Sequence, residues 1–223
     1  MEDRGVTVHP WLDGRFPEVV DLEPRLRVFA FVAGHTASGN LDRLRQDWRH
    51  LAPQDQPGGF EVILQTHLFA GYPRAINALR VAHEIGVAAP LPPGSAEIAE
   101  AQPGVSWREA GESLCAAIYG PGYSQLRERM TRMHPAIDRW MVEIGYGRVL
   151  SRPGLSARER ELCAIAVLAG MDVVPQLESH LRGALRVGAT EAECRGVLDH
   201  TAAIWGDDAQ HQVDSVWRRL FSR

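Results

Sequence analysis

Run after run of this chain is an apolar helical stretch that stops at glycine. Examples are "RLRVFAFVAG", "EVILQTHLFAG", "WREAGESLCAAIYG", "ARERELCAIAVLAG", "PQLESHLRGALRVG" and "TEAECRGVLDHTAAIWG". Glycine at such an end supplies a left-handed C-terminal cap, and several runs begin with Pro or Thr, which suit a first helical turn. Strand-like alternation is scarce. The pattern predicts an all-α protein built as a helical bundle.

The runs also repeat. "VFAFVAG" ending at Gly34 resembles "AIAVLAG" ending at Gly170, and "NLDRLRQDW" resembles "QLESHLRGA". "VILQTHLFAG" resembles "VLDHTAAIWG", and the last two pairs sit at a nearly constant offset of about 135 residues. The reading is an internal duplication of a four-helix unit. A degenerate N-terminal half spans 20–87, a Pro-, Gly- and Ala-rich linker spans 88–107, and a C-terminal half spans 108–223.

Composition narrows the function classes. A net charge of −4, with acids and bases interspersed, gives no basic stripe for nucleic acid or for a membrane surface. No apolar stretch is long enough to span a bilayer, and "MEDRGVTVHPWLDGRFPE" has no signal-peptide core, so a cytoplasmic location is expected. The three cysteines, Cys115, Cys163 and Cys194, are far apart and include no C-x-x-C. Cys115 and Cys163 read as small buried hydrophobes; Cys194 follows a helix start and has no evident partner. No carboxylate cluster or His pair argues for a metal, and no pattern argues for a cofactor.

One hairpin carries chemistry. In "ERELCAIAVLAGMDVVPQLESHLRGAL", Glu161 lies nine residues before Gly170 and His180 ten after it. Two helices joined by a short turn run antiparallel, so both side chains sit about 13–15 Å from the turn, at the same height. Glu161 shares a face with Ile165 and Leu168, and His180 shares one with Gly183, Ala184 and Val187, the small residues leaving space. Asp172 reads as the cap of the second helix. The pair is either a buried polar clip or a proton-handling device, in which the carboxylate fixes the imidazole tautomer and raises its basicity. Aligned on the glycine, the first half has Arg25 and Leu44 at these two positions.

These features together resemble the carboxymuconolactone decarboxylase family, of the all-α alkylhydroperoxidase D-like superfamily. The resemblance rests on R-x-R-E-L, the apolar helix ending in Gly, then "PQLESHLRGALRVGAT" and "VLDHTAAIWG", with "HPAIDRWMVEIGYGRVLSRPGLS" as the lead-in. It covers residues 110–220 well and 20–85 less strongly. It implies that Glu161 and His180 are the functional acid and imidazole. Peroxidase members of the superfamily add two cysteines, whose places are taken here by Val173 and Gln176, so no thiolate chemistry is expected. The decarboxylase branch lacks those cysteines and needs only a proton delivered as carbon dioxide leaves.

Around the pair, Arg152 and Arg148 are candidate carboxylate clamps, and His134, Tyr146 and His67 are candidate wall residues. Each also has a plain structural reading: solvated arginines between helices, a helix start at His134, helix packing for His67 and Tyr72, core for Trp205 and Trp217. The expected function is a cofactor-free lyase acting on a small carboxylated or lactone substrate. The alternatives are a non-catalytic helical assembly protein and, less favoured, a peroxidase. A homo-oligomer is expected, a trimer of fused chains being favoured, with the outer helices "TAAIWG" and "VDSVWRRLF" as contact surfaces.

Overall fold

The computed structural model describes residues 22–86 and 105–221, so residues 88–104 of the expected linker lie outside the described part. Four helices come first: α1 (Pro24–Ser38), α2 (Leu41–Arg49), α3 (Gln56–Ala70) and α4 (Tyr72–Ile85). Next are α5 (Trp107–Tyr119), α6 (Tyr123–Met133), α7 (Pro135–Trp140) and a wider π-helical stretch, Met141–Leu150. The chain continues with α8 (Ala157–Leu168), α9 (Val174–Arg186), α10 (Glu191–Trp205) and α11 (Asp207–Phe221). Every element among the described residues is helical, as the sequence pattern predicts.

Local chemistry sets the boundaries. Ser106 with Glu109, Ser156 with Glu159, and Thr190 with Glu193 form reciprocal capping boxes that start α5, α8 and α10. Each cap contributes about 1 kcal/mol by satisfying two orphaned N–H groups. The joints α3–α4 and α10–α11 turn on Gly71 (φ 81°) and Gly206 (φ 80°), a conformation that costs an L side chain strain. The two joints therefore share one backbone conformation.

The two halves interlock through their first helices. α1 packs against its counterpart α8, α1 also against α3 and α10, and α8 likewise against α10 and α3. Each central helix thus touches the third helix of its own half and that of the other half. Both are buried almost all round: Val28 to Thr36 in α1 and Glu159 to Leu168 in α8. A helix buried on every side is apolar on every side, which is why these two segments lack amphipathic periodicity.

A buried polar clamp fixes α3 against α8. The Arg152 guanidinium donates to both carboxylate oxygens of Glu61, at 2.8–3.2 Å. Arg160, only 2% exposed, donates to Glu61 at 3.0 Å and to the side-chain oxygen of Gln65 at 3.1 Å. Gln65 returns a bond to the Arg160 carbonyl at 3.0 Å.

A flanking layer covers α9. α5 packs across α9, and the π-helical stretch packs along α5. Their backbones nearly touch: a side-chain carbon on Gly147 would lie 1.9 Å from the Trp107 carbonyl oxygen, and one on Gly111 would lie 2.0 Å from that of Val142. The sequence predicts a helix that ends at Gly145 and a loop beyond it. Instead, the helical path continues in wider π turns to Leu150, placing Tyr146 and Arg148 on helix.

Large exposed apolar side chains sit on α4 (Tyr72, Ile76) and along α6, α7 and the π stretch (Met133, Ile137, Trp140, Ile144). Trp205 and Trp217, on the outer helices expected as contact surfaces, pack partly buried against the core. No helix among the described residues is long and apolar enough to cross a membrane.

Candidate functional site

α8 and α9 form the antiparallel hairpin that the sequence predicts. Its turn differs from expectation. Asp172 does not cap α9; it adopts a left-handed conformation (φ 52°) and accepts a hydrogen bond from Gln212 at 2.6 Å. Val173 occupies the cap position, with no side-chain bond. Gly170 is required because Trp205 crosses it, a side-chain carbon there falling 1.9 Å from the indole; Trp205 donates to the Ala166 carbonyl at 3.0 Å.

Two turns back on each helix, His180 Nδ1 lies 2.9 Å from Glu161 Oε2, with Nδ1–H donating to the carboxylate. Glu161 is 1% exposed and His180 7%. Gly183 makes room for the carboxylate rather than for the imidazole. A side-chain carbon there would sit 2.8 Å from Glu161 Oε2 and 2.7 Å from Ile118 Cγ2. The edge of Phe69, from α3 in the first half, meets the imidazole at 5.5 Å between ring centroids and 82° between planes.

Burial alone would depress the basicity of His180, but the charge of Glu161 and its hydrogen bond overcome this and leave the pKa raised above the ordinary imidazole value. Nδ1 is committed to Glu161. Nε2 makes no hydrogen bond among the described residues and is not among the sealed polar atoms, so a proton held there can reach a bound molecule.

A second cluster adjoins the pair: Cys115, Ile118, Tyr119 and Tyr146, with Leu68 and Val187 packed against it. The Tyr146 hydroxyl donates to that of Tyr119 at 3.5 Å. Burial first, and then the nearby Glu161 charge among others, raises the pKa of both phenols, so both stay protonated at neutral pH.

The other residues singled out in the sequence lie as follows. Arg152 is engaged by Glu61. Arg148 lies over the Trp107 ring at 4.4 Å. His134 caps α7, its Nδ1 accepting from the Ala136 N–H at 3.1 Å. His67 bonds the Leu64 carbonyl and stacks on Tyr72 at 4.7 Å. Tyr146 is the one of these five that shares the cluster beside the pair.

In the first half, Arg25 bonds Glu159 and approaches Asp55, and Leu44 is fully buried. An acid–imidazole contact exists there too, which the sequence reading missed. His35 Nδ1 lies 2.5 Å from Asp47 Oδ2, joining α1 to α2. His35 is in the last turn of α1. The reading also missed Phe69, Tyr119, Glu61, Gln65 and Arg160. Of these, Tyr119 had a usable signal, an aromatic at the end of an apolar helix before "GPG".

All three cysteine thiols are buried and pushed up to about 12 by desolvation. No group of three or more His, Cys, Asp or Glu among the described residues is arranged to hold a metal ion.

Several known proteins are similar to this chain in sequence. Peroxisomal protein 2 of Schizosaccharomyces pombe is 28% identical over 177 residues, which cover 77% of this chain and 82% of that protein. The 4-carboxymuconolactone decarboxylase of Acinetobacter baylyi is 28% identical over 97 residues, covering 42% and 72%. The nitrosuccinic acid decarboxylase of Metarhizium robertsii is 35% identical over 66 residues, covering 30% and 46%. Residues 135–218, which contain the whole α8–α9 hairpin and its Glu161–His180 pair, match the model of the carboxymuconolactone decarboxylase family.

Proposed function

We propose that the protein is a cofactor-free lyase that decarboxylates a small carboxylated or lactone acid, with His180 as the proton carrier. The observation that carries this reading is the division of labour on one imidazole: Nδ1 is held by a buried carboxylate, and Nε2 makes no hydrogen bond among the described residues. Two of the relatives, of Acinetobacter baylyi and Metarhizium robertsii, are named as decarboxylases.

The chemistry follows from the geometry. Loss of carbon dioxide leaves an electron pair on carbon, conjugated to a carbonyl. An imidazolium N–H placed at that carbon quenches it, and Glu161 stabilises the cation before transfer and keeps the ring oriented afterwards. A raised His180 pKa increases the fraction of protein that carries this proton at neutral pH. The apolar walls, Phe69 among them, weaken solvation of the departing carboxylate. A carboxylate that stays on the substrate needs a cation. Arg148 is the proposed partner, because it follows Tyr146 on the same π-helical stretch.

The test is carbon dioxide release from a panel of lactone and β-keto acids by the wild-type protein and by His180→Gln. Turnover should vanish in the variant while the helical signal and melting temperature persist. In the wild type, rate should fall as pH rises through the raised His180 pKa, where the acid form is lost. Retained turnover in His180→Gln would exclude His180 as the donor. A second reading, a non-catalytic assembly protein, draws on the Schizosaccharomyces pombe relative, whose name specifies no activity; absence of turnover across the panel favours it.

A further inference from the structure

A decarboxylating site needs more than a proton donor. When the C–C bond to the carboxylate breaks, carbon dioxide leaves without the electron pair. That pair becomes a carbanion delocalised onto a carbonyl oxygen, and the oxyanion must be held until the proton arrives at carbon. Donors aimed at such an oxygen are usually the largest electrostatic contribution to rate. Neither Glu161 nor the His180 imidazolium, whose Nδ1–H is held by Glu161 and whose Nε2–H is engaged in the transfer, can fill this role.

We propose that the hydroxyls of Tyr119 and Tyr146 form the oxyanion-binding face of the Glu161–His180 site, and that its ligand class is a planar enolate or nitronate conjugated to a carboxylate-bearing chain. This inference rests on the lyase reading above and adds to it two residues that touch the reacting atoms.

Four observations place the two phenols. Tyr119 is the last residue of α5, next to Ile118, and Ile118 and the Glu161 carboxylate both close on Gly183. Tyr146 comes from the π-helical stretch that packs along α5, and its ring meets that of Tyr119 at 6.2 Å and 79°. Tyr146 belongs to a buried cluster against which Tyr119, Leu68 and Val187 all pack, while Phe69, the residue after Leu68 on α3, meets His180. The cluster therefore lies between the same two helices that frame the imidazole.

The fourth observation is a hydrogen-bond count. Each phenol has one hydrogen to donate. Tyr146 gives its hydrogen to Tyr119 over a long 3.5 Å contact, and the Tyr119 hydrogen has no acceptor among the described residues. A half-buried O–H donor without an acceptor, beside a buried carboxylate, is arranged for an anion that arrives with the substrate. In the proposed step the pair of electrons from the broken C–C bond moves to the carbonyl oxygen, which accepts hydrogen bonds from both phenols without taking their protons, the Tyr146 hydroxyl turning to it from its long contact with Tyr119. The electrons then return to carbon, which receives the proton from His180 Nε2. Atoms and charge balance with no oxidant, reductant or metal.

The test uses a nitronate as a stable enolate mimic: the anion of 3-nitropropionate, compared with succinate, which has the same charge but no enolate-like group. Calorimetric affinities are measured for the wild type, Tyr119→Phe and Tyr146→Phe, with melting curves and the His180 imidazole NMR titration recorded for each. The wild type should prefer the nitronate. Each Phe variant should lose roughly 10- to 100-fold of that affinity, the range for a hydrogen bond to a charged group, while succinate affinity, melting and the His180 titration stay put. On any turned-over acid, kcat should fall about 100-fold with little change in KM. Phe variants that bind the nitronate as tightly as the wild type, or a wild type without preference, overturn the oxyanion site. A wild type that keeps the preference but releases no carbon dioxide from any acid retains the site and removes the lyase reading instead.

Discussion

Gly183→Ala perturbs the candidate site without removing either titratable group. In the interior of α9, replacing Gly by Ala should by itself stabilise the helix by about 1 kcal/mol. The structure predicts the opposite sign. The new methyl would sit 2.8 Å from Glu161 Oε2 and 2.7 Å from Ile118 Cγ2, well inside contact distance for both. Neither neighbour has open space, Glu161 being 1% and Ile118 2% exposed. Overpacking of this kind costs about 1–3 kcal/mol, and with two clashes the upper end applies. Subtracting the propensity gain leaves a destabilisation of about 2 kcal/mol, or roughly 4–8 °C in melting temperature for a chain of this size.

The cheapest relief is for the carboxylate, the far end of a flexible side chain, to swing off Nδ1. His180 then keeps its burial, which lowers its pKa, and loses the partner that raises it. Its NMR titration midpoint should therefore fall below that of the wild type, in step with Glu161→Gln. Thermal denaturation and an imidazole titration on the purified variant decide the matter. A Gly183→Ala protein that is more stable than the wild type, with an unmoved His180 titration, refutes the packing argument and the claim that Gly183 seats the Glu161 carboxylate.

Other outcomes follow from the same structure. Glu61→Leu strands Arg160, which is 2% exposed, and should cost about 3–5 kcal/mol by denaturant melt, whereas Glu61→Leu with Arg160→Leu should recover much of the loss. The folded pKa of His180 is raised, so its stabilisation is fully present below the unfolded value of about 6.5 and is lost as pH rises through the folded pKa. Wild type minus His180→Gln stability, measured across that window, should shrink with rising pH. Thiol reagents should leave the native protein unmodified at neutral pH and label all three cysteines after denaturation, since each thiol is buried and raised to about 12. If the exposed apolar residues Ile137, Trp140 and Ile144 mediate self-association, light scattering should give a multiple of the 24.7 kDa chain mass that Trp140→Glu reduces.

How much of this was legible in the sequence depends on the range of the interaction. The Glu161–His180 contact was legible because a hairpin is a ruler: equal distances from the turn put side chains at equal heights, whatever the rest of the chain does. The capping boxes and glycine ends are local for the same reason. The π-helical stretch was not legible, because its winding is set by two backbones in van der Waals contact, Gly147 on Trp107 and Gly111 on Val142, and no propensity at Tyr146 or Arg148 records that. Arg152 looked like a solvated loop residue; its partner Glu61 is 91 positions away, on a helix whose neighbour cannot be known before the halves are docked. Phe69 failed for the same reason. Asp172 carried a real capping signal, but the turn geometry placed it in the left-handed region, one residue short of the cap.

Helices α1 and α3 support the helix that carries Glu161. Helix α8 is buried from Glu159 to Leu168, a condition that no single four-helix unit can satisfy; half of its cover is α1 and α3. Arg25 reaches across to Glu159, the residue that caps α8 two positions before Glu161. On α3, Glu61, Gln65 and Phe69 follow one another at helical spacing along one face. The first two are locked to Arg160, and the third touches His180. A rigid helix that is pinned at one end beside Glu161 and ends against His180 holds the wall of the site at a fixed height relative to the pair. Helices α1 and α3 are then a structural part of the candidate site on α8 and α9.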